Sequence, residues 1–204
     1  MDEPDPARTP QTRNQRRGFV EWLRAVPIDD PVERNNALML QLLLVFMGLY
    51  QPLLLLELLW RHTGFDYIAV LPALVNTLAM WVCFVLLRRG RLRLSAWLFV
   101  IVSLALVGYG YLRWGMQAQQ WSQLGQLLPI LVGGLVLSRR VLWFAVACMA
   151  LLILAGAWRD AGAFLFDPDM IERIRDRALH AVVVLVAIAA VLDLAVANLR
   201  DSLQ

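Results

Sequence analysis

Four ionisable side chains fall within or beside long apolar segments of the chain: Glu57, His62, His180 and Asp193. A charged group is costly to place inside a bilayer, so each of them is a candidate functional residue. Glu57 lies four residues before Arg61, which is the favourable order for an ion pair on one helix face. The structural alternative for Glu57 is therefore a paired carboxylate that reaches the membrane surface.

Three of these residues fall at nearly the same depth, at the predicted outer ends of the apolar segments. Together with nearby aromatic side chains they predict a pocket for a small amphipathic molecule. This predicted outer pocket consists of Glu57, Trp60, His62, Tyr67, Trp114, Trp121, Trp158 and His180. An aromatic belt at the membrane–water interface accounts for the tryptophans equally well.

The two histidines raise a redox alternative. His62 and His180 are the only histidines of the chain, and two neutral imidazoles from two helices can ligate a low-spin b haem. His62, however, falls in a loop beside Arg61 rather than on a helix face. We therefore expect no cofactor and no metal, with haem b on His62 and His180 as the alternative. Cys83 and Cys148 fall inside apolar segments, where thiols behave as small hydrophobic groups.

The apolar segments carry little else that could do chemistry. Segments 67–87, 94–112, 124–137 and 141–158 have no Asp, Glu, Lys, Arg or His in their cores, whereas pumps and ion-coupled transporters need such groups near the midplane. The HExxH, GxSxG and P-loop patterns are missing from the sequence. We expect that this chain is not itself an enzyme.

The elements that must position these residues are membrane-spanning helices. The chain is 60% hydrophobic, with a mean hydropathy of +0.60, and apolar runs of about 17–25 residues can cross the bilayer core. Five such runs and a shorter sixth are found at 37–60, 67–87, 94–112, 141–158, 178–197 and 124–137. The predicted fold class is an all-α integral membrane protein with a six-transmembrane-helix bundle.

Proline and glycine residues mark special points in these segments. Pro52, Pro72 and Pro129 remove helical hydrogen bonds, so they either open a cavity between helices or serve as ordinary packing devices. Gly133 and Gly134 indicate a close helix–helix contact.

The basic residues predict the orientation. All 19 are arginine; six precede the first span, and others cluster at 88–93 and at 139–140. By the positive-inside rule these loops and both termini are cytoplasmic, as in a multi-pass protein of the bacterial inner membrane. The arginines are spread over loops rather than gathered on one face, so we expect no nucleic-acid partner.

The last apolar segment combines a membrane span with a heptad. Asp167 and Pro168 provide an N-cap and a first helical residue. Two interleaved sets of residues then repeat every seven positions, which is the a/d spacing of a two-stranded coiled coil. This pattern predicts a parallel homodimer and a signal-transmitting seam of Leu185, Ala189, Leu192, Asp193, Val196, Leu199 and Leu203. We expect Asp193 to pair with an arginine of 88–93 or 139–140.

The same patterns divide the chain into four parts. Residues 1–17 are predicted to be a disordered cytoplasmic tail. In 18–29, Phe19, Trp22, Leu23 and Val26 have helical spacing, which predicts an interfacial amphipathic helix and a linker. Residues 30–198 are the predicted six-helix transmembrane sensor domain, and 199–204 begin a cytoplasmic coiled coil.

Several short motifs carry a family resemblance: residues 30–37 (DPVERNNA), Met39-Leu40-Gln41 with the proline-containing run to Leu56, the arginine-rich second loop, Ser138-Arg139-Arg140 with Trp143, and residues 197–204 (ANLRDSLQ). With them, the chain resembles the N-terminal six-helix sensor regions that precede histidine-kinase or diguanylate-cyclase output domains in bacterial receptors. This resemblance implies a sensing function without catalytic residues in the membrane region.

Our leading expectation is therefore a membrane sensor module. It would detect a small amphipathic or membrane-associated ligand and transmit a helix rearrangement to a C-terminal cytoplasmic output domain, an enzyme of the histidine-kinase or diguanylate-cyclase type. Its expected partners are a second copy of the chain, membrane lipid and the unidentified ligand. The alternatives are a stand-alone membrane assembly subunit or small transporter, and a b-haem-binding redox protein.

Overall fold

A computed structural model describes residues 31–61, 67–118, 123–163 and 167–201, and helices dominate all four ranges. The helices are α1 (Pro31–Arg61), α2 (Tyr67–Arg88), α3 (Leu92–Ala118), α4 (Gln123–Val132), α5 (Arg139–Ala163) and α6 (Pro168–Asp201). A five-residue π-helix, Gly133–Leu137, follows α4 directly and is called the π segment below. The predicted tail 1–17 and interfacial helix within 18–29 lie outside the described residues.

Within the described residues, the prediction of an all-α fold is confirmed. The helices α1, α2, α3, α5 and α6 are each long and apolar enough to cross a membrane. The helix α4 and the π segment together form a shorter apolar stretch, Gly125–Leu137. A sixth span and the coiled coil stay predictions.

The bundle is organised around α3 and α5. These two helices pack against each other, α4 and the π segment pack on both, and the hairpin of α1 and α2 packs on α3. The helix α6 lies outside this group and packs mainly on α5. Phe99 of α3 and Leu142 and Met149 of α5 are among the most deeply buried side chains.

The antiparallel helices give the bundle two ends with different residues. We call one the arginine end, where α2 ends at Arg88 and α5 begins at Arg139. We call the other the tryptophan end, where Trp60, Trp114 and Trp158 lie near the ends of α1, α3 and α5. In the predicted topology the arginine end is cytoplasmic.

Local sequence explains how α6 and α5 begin. The Met170 N–H donates to Asp167 Oδ1 at 3.2 Å, so the predicted N-cap of α6 is confirmed. Ser138 turns the chain between the π segment and α5: its N–H donates to the Gly133 carbonyl at 3.0 Å, and its Oγ accepts from the Val141 N–H at 3.3 Å.

The two adjacent glycines lie at this turn. A Cβ atom on Gly134 would overlap the Leu142 side chain, and one on Gly133 would lie 3.6 Å from the Val141 carbonyl oxygen. The close contact expected of Gly133 and Gly134 is therefore confirmed. A larger residue at Gly134 would displace the Leu142 side chain in the first turn of α5.

The helix α3 extends beyond the apolar run predicted at 94–112. It continues to Ala118 after a break at Gly115, whose backbone has φ 81° and ψ −179°. The Met116 N–H beyond the break donates to Asp160 Oδ2 of α5 at 2.8 Å. This hydrogen bond satisfies a backbone group that the break leaves without a helical partner.

Candidate functional site

A partly open cavity of about 210 Å³ lies between the helices and is lined by α1, α2, α3 and α4. Each helix contributes one uncharged polar side chain to its wall: Gln51 from α1, Asn76 from α2, Ser103 from α3 and Gln126 from α4. Inside a membrane, polar side chains of this kind either bond to each other across helices or line a functional cavity. Three of them, Gln51, Asn76 and Ser103, make no side-chain hydrogen bond to another described residue.

The other side chains of the wall are apolar. They include Met47, Met80 and Phe99, and methionine side chains adapt readily to a bound aromatic surface. None of the described residues that line the cavity carries a charge. The site is therefore able to hydrogen-bond a neutral molecule but offers no counter-ion to a charged one.

Two of the three prolines predicted within spans directly follow a cavity-lining residue in the sequence. Pro52 follows Gln51, and Pro129 follows Leu128, which also lines the wall. Pro129 has no N–H for the carbonyl of Gly125 four residues earlier, so α4 lacks one helical hydrogen bond at the cavity. An added Cβ on Gly125 would meet no atom within 4 Å.

One wall of the cavity is fixed to the packed core. The Tyr111 hydroxyl donates to Gln126 Oε1 at 2.8 Å in a buried hydrogen bond between α3 and α4. The ring of Tyr111 also packs so closely on Gly156 of α5 that a Cβ there would collide with it. The orientation of Gln126 is thus tied to the α3–α5 contact.

The residues of the predicted outer pocket lie elsewhere. Trp60 and Trp158 are 88% and 84% exposed, and Trp114 is 39% exposed. Glu57 and His180 are exposed as well, and none of these five residues lines the cavity. The aromatic-belt alternative predicts such exposed positions for the tryptophans. The remaining three members, His62, Tyr67 and Trp121, have no described side chain, so an outer pocket stays a prediction.

The haem alternative also involves undescribed residues. His62 lies outside the described part of the chain, as does the side chain of Arg61 that was expected to pair with Glu57. Within the described ranges no group of three or more His, Cys, Asp and Glu side chains is arranged to hold a metal ion.

The predicted seam of α6 has two different environments. Leu185 and Ala189 are 5% and 0% exposed, because this stripe of α6 packs into the protomer's own core. Leu192 lies partly buried against the same core, and Val196 is half-buried. The side chains of Leu199 and Leu203 are not described. A dimer through this seam stays a prediction.

Asp193 links α6 to the start of α5. Its Oδ2 lies 2.7 Å from Arg139 Nη2, and its side chain is 13% exposed. The Trp143 indole N–H donates to the same oxygen at 3.4 Å. The sequence suggested two groups of arginine partners for Asp193, and the structure places one of them, Arg139, in contact with it.

The π segment connects the cavity helices with α6. It continues α4 and packs against α1, α3, α5 and α6. The Asn36 side-chain amide of α1 donates to the Leu135 carbonyl of this segment at 3.4 Å. A π-helix has a less regular hydrogen-bond pattern than an α-helix and is frequently found at functional sites.

Sequence reasoning missed the cavity because it considered ionisable side chains. The informative residues are uncharged polar positions within apolar runs, such as Asn76, next to Thr77, in AVLPALVNTLAM or Ser103 in FVIVSLAL. That signal identifies candidate positions. It does not reveal that four helices bring them to one cavity. Comparison with known proteins found no matching family model, no matching curated protein and no matching solved structure.

Proposed function

We propose that the chain is the membrane input module of a signalling receptor. In this proposal the bundle detects a small amphipathic or membrane-associated ligand, and α6 passes a rearrangement to a cytoplasmic output domain of the histidine-kinase or diguanylate-cyclase type. The observation that carries the proposal is the packing of the π segment, which contacts both the cavity helices and the α5–α6 pair. A change in the helices around the cavity thereby has a direct mechanical path to the last helix.

The position of α6 supports a transmitting role. It is a single helix from Pro168 to Asp201, and at about 1.5 Å per residue it is longer than the ~30 Å hydrocarbon core. It packs mainly on α5 and the π segment. A helix held by few neighbours can rotate or slide with little disturbance of the rest of the bundle.

The ion pair at the arginine end supports dimerisation where α6 leaves the membrane. Asp193 lies beside Arg139, which is the first residue of α5. In the sequence, Val196, Leu199 and Leu203 continue the a/d spacing after Asp193, which favours pairing with the same residues of a second copy.

The mechanism is a shift between two packings of the bundle. A ligand that binds one packing more tightly than the other raises the population of that packing. The π segment and α5 then move relative to α6, and the change continues into the cytoplasmic part of the helix. Any enzymatic step takes place in the output domain and not in the membrane.

The test is a series of insertions in a fusion to a diguanylate-cyclase reporter. Each residue turns an α-helix by about 100°, so inserting one residue after Leu203 misaligns the output domain, while seven residues nearly restore its register. We expect reporter activity to fall with one, two or three residues and to recover with seven. The same insertions before Pro31 are the control and should leave activity unchanged. Activity that is independent of insert length would reject the proposal and favour a stand-alone membrane subunit.

A further inference from the structure

We propose that the cavity lined by α1, α2, α3 and α4 binds an uncharged ring compound that carries at least one hydrogen-bonding group. This inference rests on the proposed sensing function and assigns a ligand class to its site. It starts from the four polar side chains of the wall, which come from four different helices. Gln51, Asn76 and Ser103 have no hydrogen-bonding partner among the described residues.

The absence of charge in the wall determines the charge of the ligand. A carboxylate, phosphate or ammonium group in this cavity would lose its hydration and gain no counter-ion from the described lining residues. Amide and hydroxyl groups, by contrast, bond neutral hydroxyl, carbonyl or N–H groups. The wall therefore selects a neutral molecule.

The polar groups in the wall favour a ligand with a polar group of its own. Gln51, Asn76 and Ser103 each carry both a hydrogen-bond donor and an acceptor. A bound hydroxyl group, which donates and accepts, thus has several places to bond, and a compound without a polar group leaves these side chains unsatisfied.

The size and the apolar lining determine the rest of the ligand. A cavity of about 210 Å³ is smaller than the roughly 300–1,000 Å³ of sites for drug-sized molecules, so it fits on the order of a dozen non-hydrogen atoms. Met47, Met80 and Phe99 supply sulfur and aromatic contacts that suit a flat ring. One or two fused rings with a hydroxyl group meet both requirements.

Ligand binding at this place also suits the proposed signalling path. Gln126 lines the cavity and belongs to α4, the helix that runs directly into the π segment. Its bond to Tyr111 joins α4 to α3. A ligand that competes for or reinforces this bond changes how α4 and the π segment pack.

Three probes with the same ring system test the ligand class: 1-naphthol, naphthalene and 1-naphthoate. Their binding to the full chain in phosphatidylcholine nanodiscs is measured by equilibrium dialysis against nanodiscs without protein. We expect saturable binding of one 1-naphthol per chain. Naphthalene lacks the hydroxyl group and 1-naphthoate is charged, so both should bind at least about tenfold more weakly.

Variants locate the site. Asn76→Leu combined with Ser103→Ala should weaken 1-naphthol at least about tenfold, to the level of naphthalene. Gly125→Leu should abolish its binding by filling the cavity. Two matched controls should bind normally: Thr77→Val, which removes a hydroxyl that bonds the Ala73 carbonyl, and Gly162→Leu, at a glycine with equally open space around its Cβ.

The outcomes separate this inference from the proposed function. Equal binding of naphthalene and 1-naphthol, tight binding of 1-naphthoate, or 1-naphthol binding that survives in both cavity variants would overturn the ligand assignment. None of these results depends on an output domain. The insertion series described above tests transmission without any probe, so a failed insertion series with intact 1-naphthol binding would reject the sensor and keep the binding site.

Discussion

The two ends of the bundle are held together in different ways. At the tryptophan end, buried polar groups from distant parts of the chain satisfy each other, as in the Met116–Asp160 and Tyr111–Gln126 hydrogen bonds. At the arginine end the helices are joined by ion pairs, Glu33–Arg93 and Arg139–Asp193, in which the arginines are 81% and 72% exposed. Solvent screens these exposed guanidinium groups, which weakens the ion pairs. This difference suggests a rigid end and an end that can rearrange.

The largest expected effect comes from Gly115→Ala at the rigid end. The backbone at Gly115 has a φ of 81°, and a Cβ there would overlap the Asp160 carboxylate. We expect a loss of about 3 kcal/mol or more in the free energy of unfolding, seen as a collapse of the folded, monodisperse fraction in detergent. Gly162→Ala, at a glycine with no atom near its Cβ, should be neutral. A normally folded Gly115→Ala protein would contradict the described break in α3.

Asp160→Ala should have the next largest effect. The carboxylate is 7% exposed and accepts the Met116 N–H at 2.8 Å. Its removal leaves a buried backbone donor unsatisfied, at a cost of about 1.5–3 kcal/mol, measurable as a lower unfolding temperature. Asp160→Asn keeps an acceptor oxygen and should lose less than half as much. Equal losses in the two variants would indicate that the charge, beside Arg159, matters more than the hydrogen bond.

The sequence predicts most of the helical framework but not these buried contacts. The start of α6 can be predicted from neighbouring residues, because Asp167 caps a helix that begins one residue later. Charge and predicted depth in the membrane limited the ion-pair partner of Asp193 to two arginine clusters. The break at Gly115 is different, since its cap comes from Asp160 in another helix. The cavity likewise depends on how four helices assemble, which single-segment patterns do not encode.

The half of the bundle nearer the arginine end contains a buried polar side chain that makes no hydrogen bond to the described residues. Gln41 of α1 is completely buried, and neither its Nε2 nor its Oε1 has a hydrogen-bond partner in the described part of the chain. Replacing it by the similarly shaped Met removes two unsatisfied groups, so Gln41→Met should raise the free energy of unfolding by about 1–3 kcal/mol. Gln41→Glu should lower it. A destabilised Gln41→Met protein would mean that the amide contributes a bond to the fold.

The smallest effect on stability is expected at the arginine end itself, in Asp193→Asn. The Arg139 side chain is 72% exposed and solvent screens the pair, so the free energy of unfolding should change by no more than about 1 kcal/mol. The same change releases α6 from the first residue of α5. We therefore expect a clear shift in the basal activity of a fused diguanylate-cyclase reporter, and a similar shift for Arg139→Gln.

A matched control separates this release from a general effect of lost charge. Glu33→Gln removes the other ion pair of the arginine end, between α1 and α3, and leaves α6 untouched. If Asp193→Asn and Arg139→Gln change reporter activity and the double variant adds little to either, the two residues act through one contact. If Glu33→Gln has the same effect as Asp193→Asn, the readout follows the surface charge of this end. The contact of α6 with α5 would then have no special part in transmission.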